Sequence, residues 1–492
     1  MKKILTFLLS VIVAFSCLLS CNNKIGGGNN LEGNADIPEG VVISSNGKEV
    51  YMGTKEGKER LKISYTLSGY GSTWIQVLAA KFVEKYPEYW LFLDGDSGLT
   101  TSMPTKLETG LNVSDIYMAL NSPWSTYASY GWVEEISDVY DTVLEGETES
   151  IYQKMNPLWQ EYCTSEYLGV EGKYAFPWTQ SISGIAYNAT MFEKYGWEVP
   201  ETMEELIVLC EQILSETNGE IAPFVYPGVV GGYYGYLVSQ WWIQSSGLDG
   251  IREFYRFEDV SVFDYKKQPR KGLYEALKAF DSVFGNANTK YSLRGSMSKN
   301  HTEAQLAFLR GEAAMIPNAS WFECEMQEDI PENLVVKLMA APYIETAQKD
   351  GNGEFKKVSY GCHPDYMIIA KGAPNVEGAK KFLVFTSGED MLKLFTKYTG
   401  TLRPLDYDYM SLYESSSPFV QSCMDIYNNS DWFMESSPSK MYKSGLVDMY
   451  LTQIPYPALV YGVNNGGTTV DAFMKAEYLT AIEEWDERLS RM

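Results

Sequence analysis

GKYAFPWTQSISGIAYNATMFEKYGWEVPETMEEL, residues 172–206, places three structural signals end to end. The run Phe176-Pro177-Trp178 leads into an extended stretch at residues 184–187, after which a helix is predicted from about Ala189. Pro200-Glu201-Thr202-Met203-Glu204-Glu205 then sets Thr202 three residues before Glu205. That spacing lets the hydroxyl and the carboxylate each accept from the other's backbone N–H, a capping box. Behind it Leu206, Leu209, Ile213 and Leu214 fall on one helical face.

Upstream, Leu61, Ile63, Tyr65 and Leu67 share one face at period two, Ser68-Gly69-Tyr70-Gly71 breaks the run, and Trp74, Val77, Leu78 and Phe82 recur at helical spacing. A second strand is expected at residues 89–93 and a third near 115–119, ending in polar loops at 94–98 and 121–124. This alternation predicts an α/β fold with mainly parallel sheets. Ligands of such sheets sit beyond the carboxyl ends of the strands, so Ser68, Tyr70, Asp96, Asn121 and Trp124 become candidates by position. Downstream, helices are expected around residues 233–244, 272–283, 303–309, 376–385 and 390–397. Lys349-Asp350-Gly351-Asn352-Gly353-Glu354 reads as a hairpin turn between strands at 337–344 and 355–360. It is not a calcium loop, because Phe355 stands where an EF-hand needs glycine.

At the N-terminus Lys2 and Lys3 precede an apolar run over residues 4–19, the order of a secretory signal and too short for a spanning helix. Leu18-Leu19-Ser20-Cys21 resembles the bacterial lipobox, which implies cleavage before Cys21 and a lipid on it. Residues 1–20 are assigned to the signal peptide and 21–57 to a lipidated tether whose Gly/Asn-rich start has too little apolar content to fold. A formal charge of −24 repels phosphate backbones and anionic lipid surfaces. Nucleic acid is thereby excluded as a partner, and the lipid on Cys21 is left to hold the bilayer. Cys163, Cys210, Cys324, Cys362 and Cys423 are widely spaced with no CxxC, and are read as mostly free thiols. The rest of the 492 residues exceeds one core, so at least two domains are expected.

The order of segments resembles the extracellular solute-binding proteins of ABC transporters, in the carbohydrate group that includes maltose-binding protein. It is carried by FVEKYPEYWLFLD (82–94), KLETGLNVSDIYMA (106–119), residues 172–206, LAFLRGEAAMIPNASW (306–321) and the long segment YGCHPDYMIIAKGAPNVEGAKKFLVFTSGEDMLKLFTKYTGTLRPL (360–405). The resemblance implies a two-lobe periplasmic-binding-protein-like fold of type II with a ligand cleft between the lobes. Residues 58–183 and 337–400 would form lobe 1, and 184–336 and 401–492 lobe 2 with the C-terminal helices. It further implies a monomer that captures a solute without catalysis, cofactor or metal, and hands it to permease subunits in the membrane.

With 14% aromatic residues, flat faces edged by hydrogen-bonding groups suit a sugar. Tyr70, Trp124, Trp178, Trp241, Trp242 and Trp321 are the aromatic candidates in cleft segments. Trp241 and Trp242 are adjacent on a helix and cannot share a face, so one of them is expected to pack. Ser68, Asp96, Asn121, Ser320, Asp365 and Arg403 are the polar candidates. Asp115 is expected to hold local structure and Asn188 to start a helix. Rival readings are a lipid-anchored glycoside hydrolase, a binder of peptides or polyamines, and a helical surface glycan receptor. Against an enzyme, only His301 and His363 are available and there is no HExxH or GxSxG. The α/β alternation stands against the all-helical receptor.

Overall fold

The structure, a computed structural model, describes residues 34–120, 122–164, 171–256, 258–361, 365–434 and 454–490. Its strands in chain order are β1 (Val41–Ile43), β2 (Glu49–Met52), β3 (Glu59–Tyr65), β4 (Tyr89–Gly95), β5 (Ile116–Leu120), β6 (Ala175–Pro177), β7 (Ser183–Asn188), β8 (Ala222–Phe224), β9 (Ala313–Ala319), β10 (Val336–Met339), β11 (Val358–Gly361), β12 (Asp365–Ile369) and β13 (Asp431–Met434).

The expected strand, loop and helix order holds where the body begins. Leu61 and Ile63 of β3 are fully buried, and the following helix, Thr73–Lys85, turns Trp74, Val77, Leu78 and Phe82 inward over the sheet. β3 runs parallel to β4 on one side and to β5 on the other, at the centre of a seven-stranded sheet ordered β1-β2-β4-β3-β5-β12-β6. Asp115 does the local work expected of it: one carboxylate oxygen accepts from Lys62 N at 2.7 Å and the other from Asn375 N at 2.8 Å.

The second sheet, β10-β7-β9-β8, belongs to the other lobe. Close packing of its central strand requires Gly184, because a Cβ there would lie 2.2 Å from the Met339 carbonyl oxygen. Asn188 caps the Ala189–Tyr195 helix through Met191 N at 2.9 Å, and the Thr202/Glu205 capping box opens the Met203–Glu216 helix as read from the sequence.

Four sequence expectations need correction. The tether does not extend to residue 57. Val41–Ile43 and Glu49–Met52 form a hairpin whose turn places Gly47 at φ +70°, and β2 pairs antiparallel with β4, burying Val50 completely. Asn46-Gly47 is the hairpin signal that the sequence offered there. The sheets are mixed and not mainly parallel: β12 lies antiparallel to both β5 and β6, and β7 antiparallel to both β9 and β10. A strand that returns from the opposite lobe enters its sheet from the far side, which reverses its direction. Nor does the return to lobe 1 start at 337, since β10 pairs with β7, and it is β12 that rejoins the first sheet. Finally, residues 349–355 make a tight reversal, with Asp350 N donating to Glu354 O at 2.8 Å, but the flanking strands do not pair with each other. β11 lies instead parallel to β13. The turn fixes only a change of direction, and the fully buried β11 takes the partner that the far end of the chain supplies.

Two C-terminal helices pack on lobe 2. Ser422 of the Pro418–Asn428 helix accepts from Leu338 N at 2.8 Å. The Val470–Leu489 helix docks on the Arg270–Phe284 helix through a buried ion pair between Arg270 and Glu477, with the guanidinium 4.8 Å from the Phe254 ring and 5.6 Å from Phe263. Cys163, Cys210, Cys324 and Cys423 are free, as read from the sequence, whereas Cys21 and Cys362 lie outside the described residues. No helix among the described residues is long and apolar enough to cross a membrane.

Candidate functional site

The carboxyl ends of β3, β5 and β6 and the amino end of the antiparallel β12 meet along one edge of the lobe 1 sheet. The loop after β3 supplies Tyr70, the segment after β5 supplies Ser122 and Trp124, β6 runs into Trp178, and β12 begins at Asp365. This is the edge where open α/β sheets take ligands. Trp178 N donates to the Asp365 carbonyl at 3.1 Å, and the Asp365 carboxylate accepts from the Thr179 hydroxyl at 2.7 Å, so these two segments form one rigid floor.

Above that floor the two lobes meet through aromatic rings. Trp74 and Trp178 lie 4.4 Å apart between ring centroids, and both contact Phe395, at 5.5 and 5.3 Å. Tyr70 stands edge-on to Trp178 at 6.1 Å and to Trp321 at 6.4 Å, and Trp321 in turn meets Tyr236 at 5.9 Å. Trp321 follows β9 and Tyr236 lies on the Gly232–Arg256 helix, both in lobe 2. The approach is close enough that a Cβ on Gly69 would come within 2.9 Å of Trp321 Cδ1. A second ladder runs beside the first, from Trp124 to Tyr366 (6.2 Å), Trp159 (5.6 Å) and the stacked Trp432 (6.2 Å).

Beneath the rings the chain crosses between lobes. Gln180 N donates to Leu402 O at 2.8 Å, Ser320 N to Ile182 O at 2.8 Å, and the Ser320 and Thr401 hydroxyls are 3.0 Å apart. Several buried donors have no hydrogen-bond partner among the described residues: Trp159 Nε1, Trp178 Nε1 and Arg403 Nε and Nη2. Buried donors are normally paired, so each of these is a place where a partner from outside would fit.

The sequence candidates divide accordingly. Tyr70, Trp178 and Trp321 come together in the first cluster, Trp124 in the second, and Asp365 and Arg403 beside them. Ser68 lies half-buried in the same β3 loop. Asp96 is occupied in opening the Leu99–Thr109 helix, accepting from Gly98 N at 2.8 Å and Ser102 Oγ at 3.2 Å. Ser320 is spent on the crossing segments. Trp241 and Trp242 both pack: their indole N–H groups donate to Pro342 O and Pro269 O, each at 2.9 Å. Adjacent positions do face different ways, but this helix is covered on both sides. Asn121 and Cys21 lie outside the described residues. Sequence reading missed Trp74, Phe395 and Tyr236, which look like ordinary core positions of helices, and Trp159, Tyr366 and Trp432, which no local motif marks.

A model of the bacterial extracellular solute-binding protein family matches residues 65–391. This chain belongs to that family. Among its relatives, the Multiple sugar-binding protein of Streptococcus mutans is 26% identical to this solute-binding protein over 247 residues, 49% of this chain and 53% of the relative. The Melibiose/raffinose/stachyose-binding protein MelE of Bacillus subtilis is 29% identical over 129 residues, 23% of this chain and 30% of the relative. The match thus spans about half the length of the first relative and less of the second. In structure, this solute-binding protein is similar to the GacH receptor of Streptomyces glaucescens, with a TM-score of 0.63 at 14% identity over 88% of this chain and 99% of that one. The two-lobe fold expected from the sequence is therefore the fold found.

Proposed function

We propose that this solute-binding protein captures a sugar or oligosaccharide between its lobes and delivers it to an ABC permease, acting as a carrier without catalysis. The observation that carries the reading is the convergence of Tyr70, Trp74, Trp178 and Phe395 from lobe 1 with Trp321 and Tyr236 from lobe 2. Aromatic faces suit the C–H faces of a sugar ring, and rings drawn from both lobes let a ligand bind the closed arrangement better than an open one. That differential affinity is what shifts the population of lobe positions toward the closed state, which a permease could recognise. The sugar relatives named above support the ligand class.

The test is thermal unfolding in the presence of mono- and oligosaccharides. The cognate sugar should stabilise the protein by about 2.7 kcal/mol at a hundredfold excess over Kd. Silence toward sugars with a response to peptides or polyamines would remove the carbohydrate assignment, and cleavage of a glycan during the assay would remove the carrier assignment.

The lipid on Cys21 belongs to the same proposal. The described chain begins beside lobe 1, where the Asp36 carboxylate meets Lys397 Nζ at 2.6 Å and Tyr398 OH at 2.6 Å. A lipidated Cys21 would then leash the monomer by lobe 1 to the membrane that holds its permease. Cys21→Ser should move the protein from the membrane fraction to the soluble exported fraction with unchanged ligand affinity. Retention in the membrane fraction would show an uncleaved leader instead.

A further inference from the structure

Arg403 is an arginine that the fold has buried without a counter-charge. It is 2% exposed, and no carboxylate among the described residues lies within ion-pairing distance of it. Nη1 reaches Thr386 O at 3.5 Å, the outer limit of a hydrogen bond, and Cζ lies 5.4 Å from the Phe395 ring centroid. Burial lowers the guanidinium to about 10, which still leaves it charged at neutral pH. Buried charges are normally paired, and the hydroxyl of neighbouring Tyr407 accepts from Arg403 N and pairs with Thr396.

The unsatisfied atoms are Nε and Nη2. They lie on one edge of the planar guanidinium and offer two parallel N–H groups, the fork that takes a carboxylate or sulfate in two bonds. The Trp178 indole N–H is a second buried donor without an acceptor, and its ring touches the same Phe395 at 5.3 Å. Two donors therefore flank one ring of the interlobe cluster, and a neutral hydroxyl would leave the charge of one of them uncompensated.

We propose that Arg403, together with the Trp178 N–H, receives an anionic group carried on the ligand, so that the cleft takes acidic saccharides, either uronates or sulfated sugars. The inference rests on the saccharide reading above and narrows it. The net charge of −24 does not oppose it decisively, because surface charges are screened over about 8 Å at physiological ionic strength whereas the fork acts in direct contact.

Calorimetric titration of the full chain with five probes tests it: trigalacturonate, its methyl ester, a sulfated disaccharide, maltotriose and succinate. Trigalacturonate or the sulfated disaccharide should bind at least tenfold more tightly than the methyl ester and maltotriose, and the preferred acid identifies the source of the anion. In Arg403→Gln that ratio should fall to about one. If neither trigalacturonate nor the sulfated disaccharide binds the unaltered protein more tightly than the methyl ester and maltotriose do, the proposal is overturned without recourse to a variant, as it is by an undiminished ratio in Arg403→Gln. Maltotriose binding with no acid preference would sink the inference and keep the sugar reading. Binding of succinate with no saccharide bound would keep an anion site at Arg403 but sink the saccharide reading and with it the acidic-saccharide proposal, and silence toward all five would sink both.

Discussion

Glu477→Ala should cost the folded protein about 3–5 kcal/mol, the usual consequence of stranding one member of a buried ion pair. Arg270 is fully buried among Phe254, Phe263 and Trp242, with Glu477 supplying its carboxylate from the C-terminal helix. Removing the acid leaves a guanidinium shut off from water. Urea unfolding followed by tryptophan fluorescence measures the loss. The double variant Arg270→Met with Glu477→Leu should recover most of it, since an apolar pair of similar volume avoids the desolvation cost altogether. A single Glu477→Ala change that leaves the midpoint in place would mean that the C-terminal helix is not held through this contact. The pair and the hydrogen bond from Tyr274 OH to Asp471 Oδ1 (3.0 Å) join the Val470–Leu489 helix to the helix beneath.

Trp321→Ala should weaken sugar binding about 10- to 100-fold, or about 1.4–2.7 kcal/mol, while changing unfolding of the unliganded protein by less than about 1 kcal/mol. The asymmetry follows from its position. Trp321 is only half-buried and stands at the end of β9 as the ring lobe 2 presents to Tyr70 of lobe 1. Calorimetric titration with the cognate sugar, paired with thermal unfolding, separates the two effects. Equal losses in both would make Trp321 a packing residue. Gly69→Ala is the companion change from the other side of the cleft. Its methyl group would sit within 2.9 Å of Trp321 Cδ1, so either the indole or the lobe must move. The two changes should be strongly non-additive if they act on the same contact.

Parts of this site were legible locally. Tyr70 and Trp124 follow strands in an α/β pattern and Trp178 precedes the crossover, which is enough to place all three at the same edge of the first sheet. Asp96 and Ser320 satisfy the same positional rule, yet their oxygens are consumed by a helix start and by the crossing segments. Position along a chain does not tell whether a polar group is already paired. Trp241 and Trp242 show the other failure: a buried helix shows no polar face to the sequence reader, so aromatic residues on it look available until the layers on both sides are seen.

The sequence by itself determined the α/β class, the family and each well-capped helix, since these depend on short-range periodicity, segment order and hydrogen bonds within a few residues. Only the tertiary structure decided that β1 and β2 extend the first sheet, that β11 pairs with β13, and that Trp74, Phe395 and Tyr236 join the cleft. Only it, too, showed that Arg403 is buried with Nε and Nη2 unsatisfied among the described residues. Those outcomes depend on which distant segments become neighbours and on which of their polar groups are left over, and neither is written in the spacing of residues along the chain.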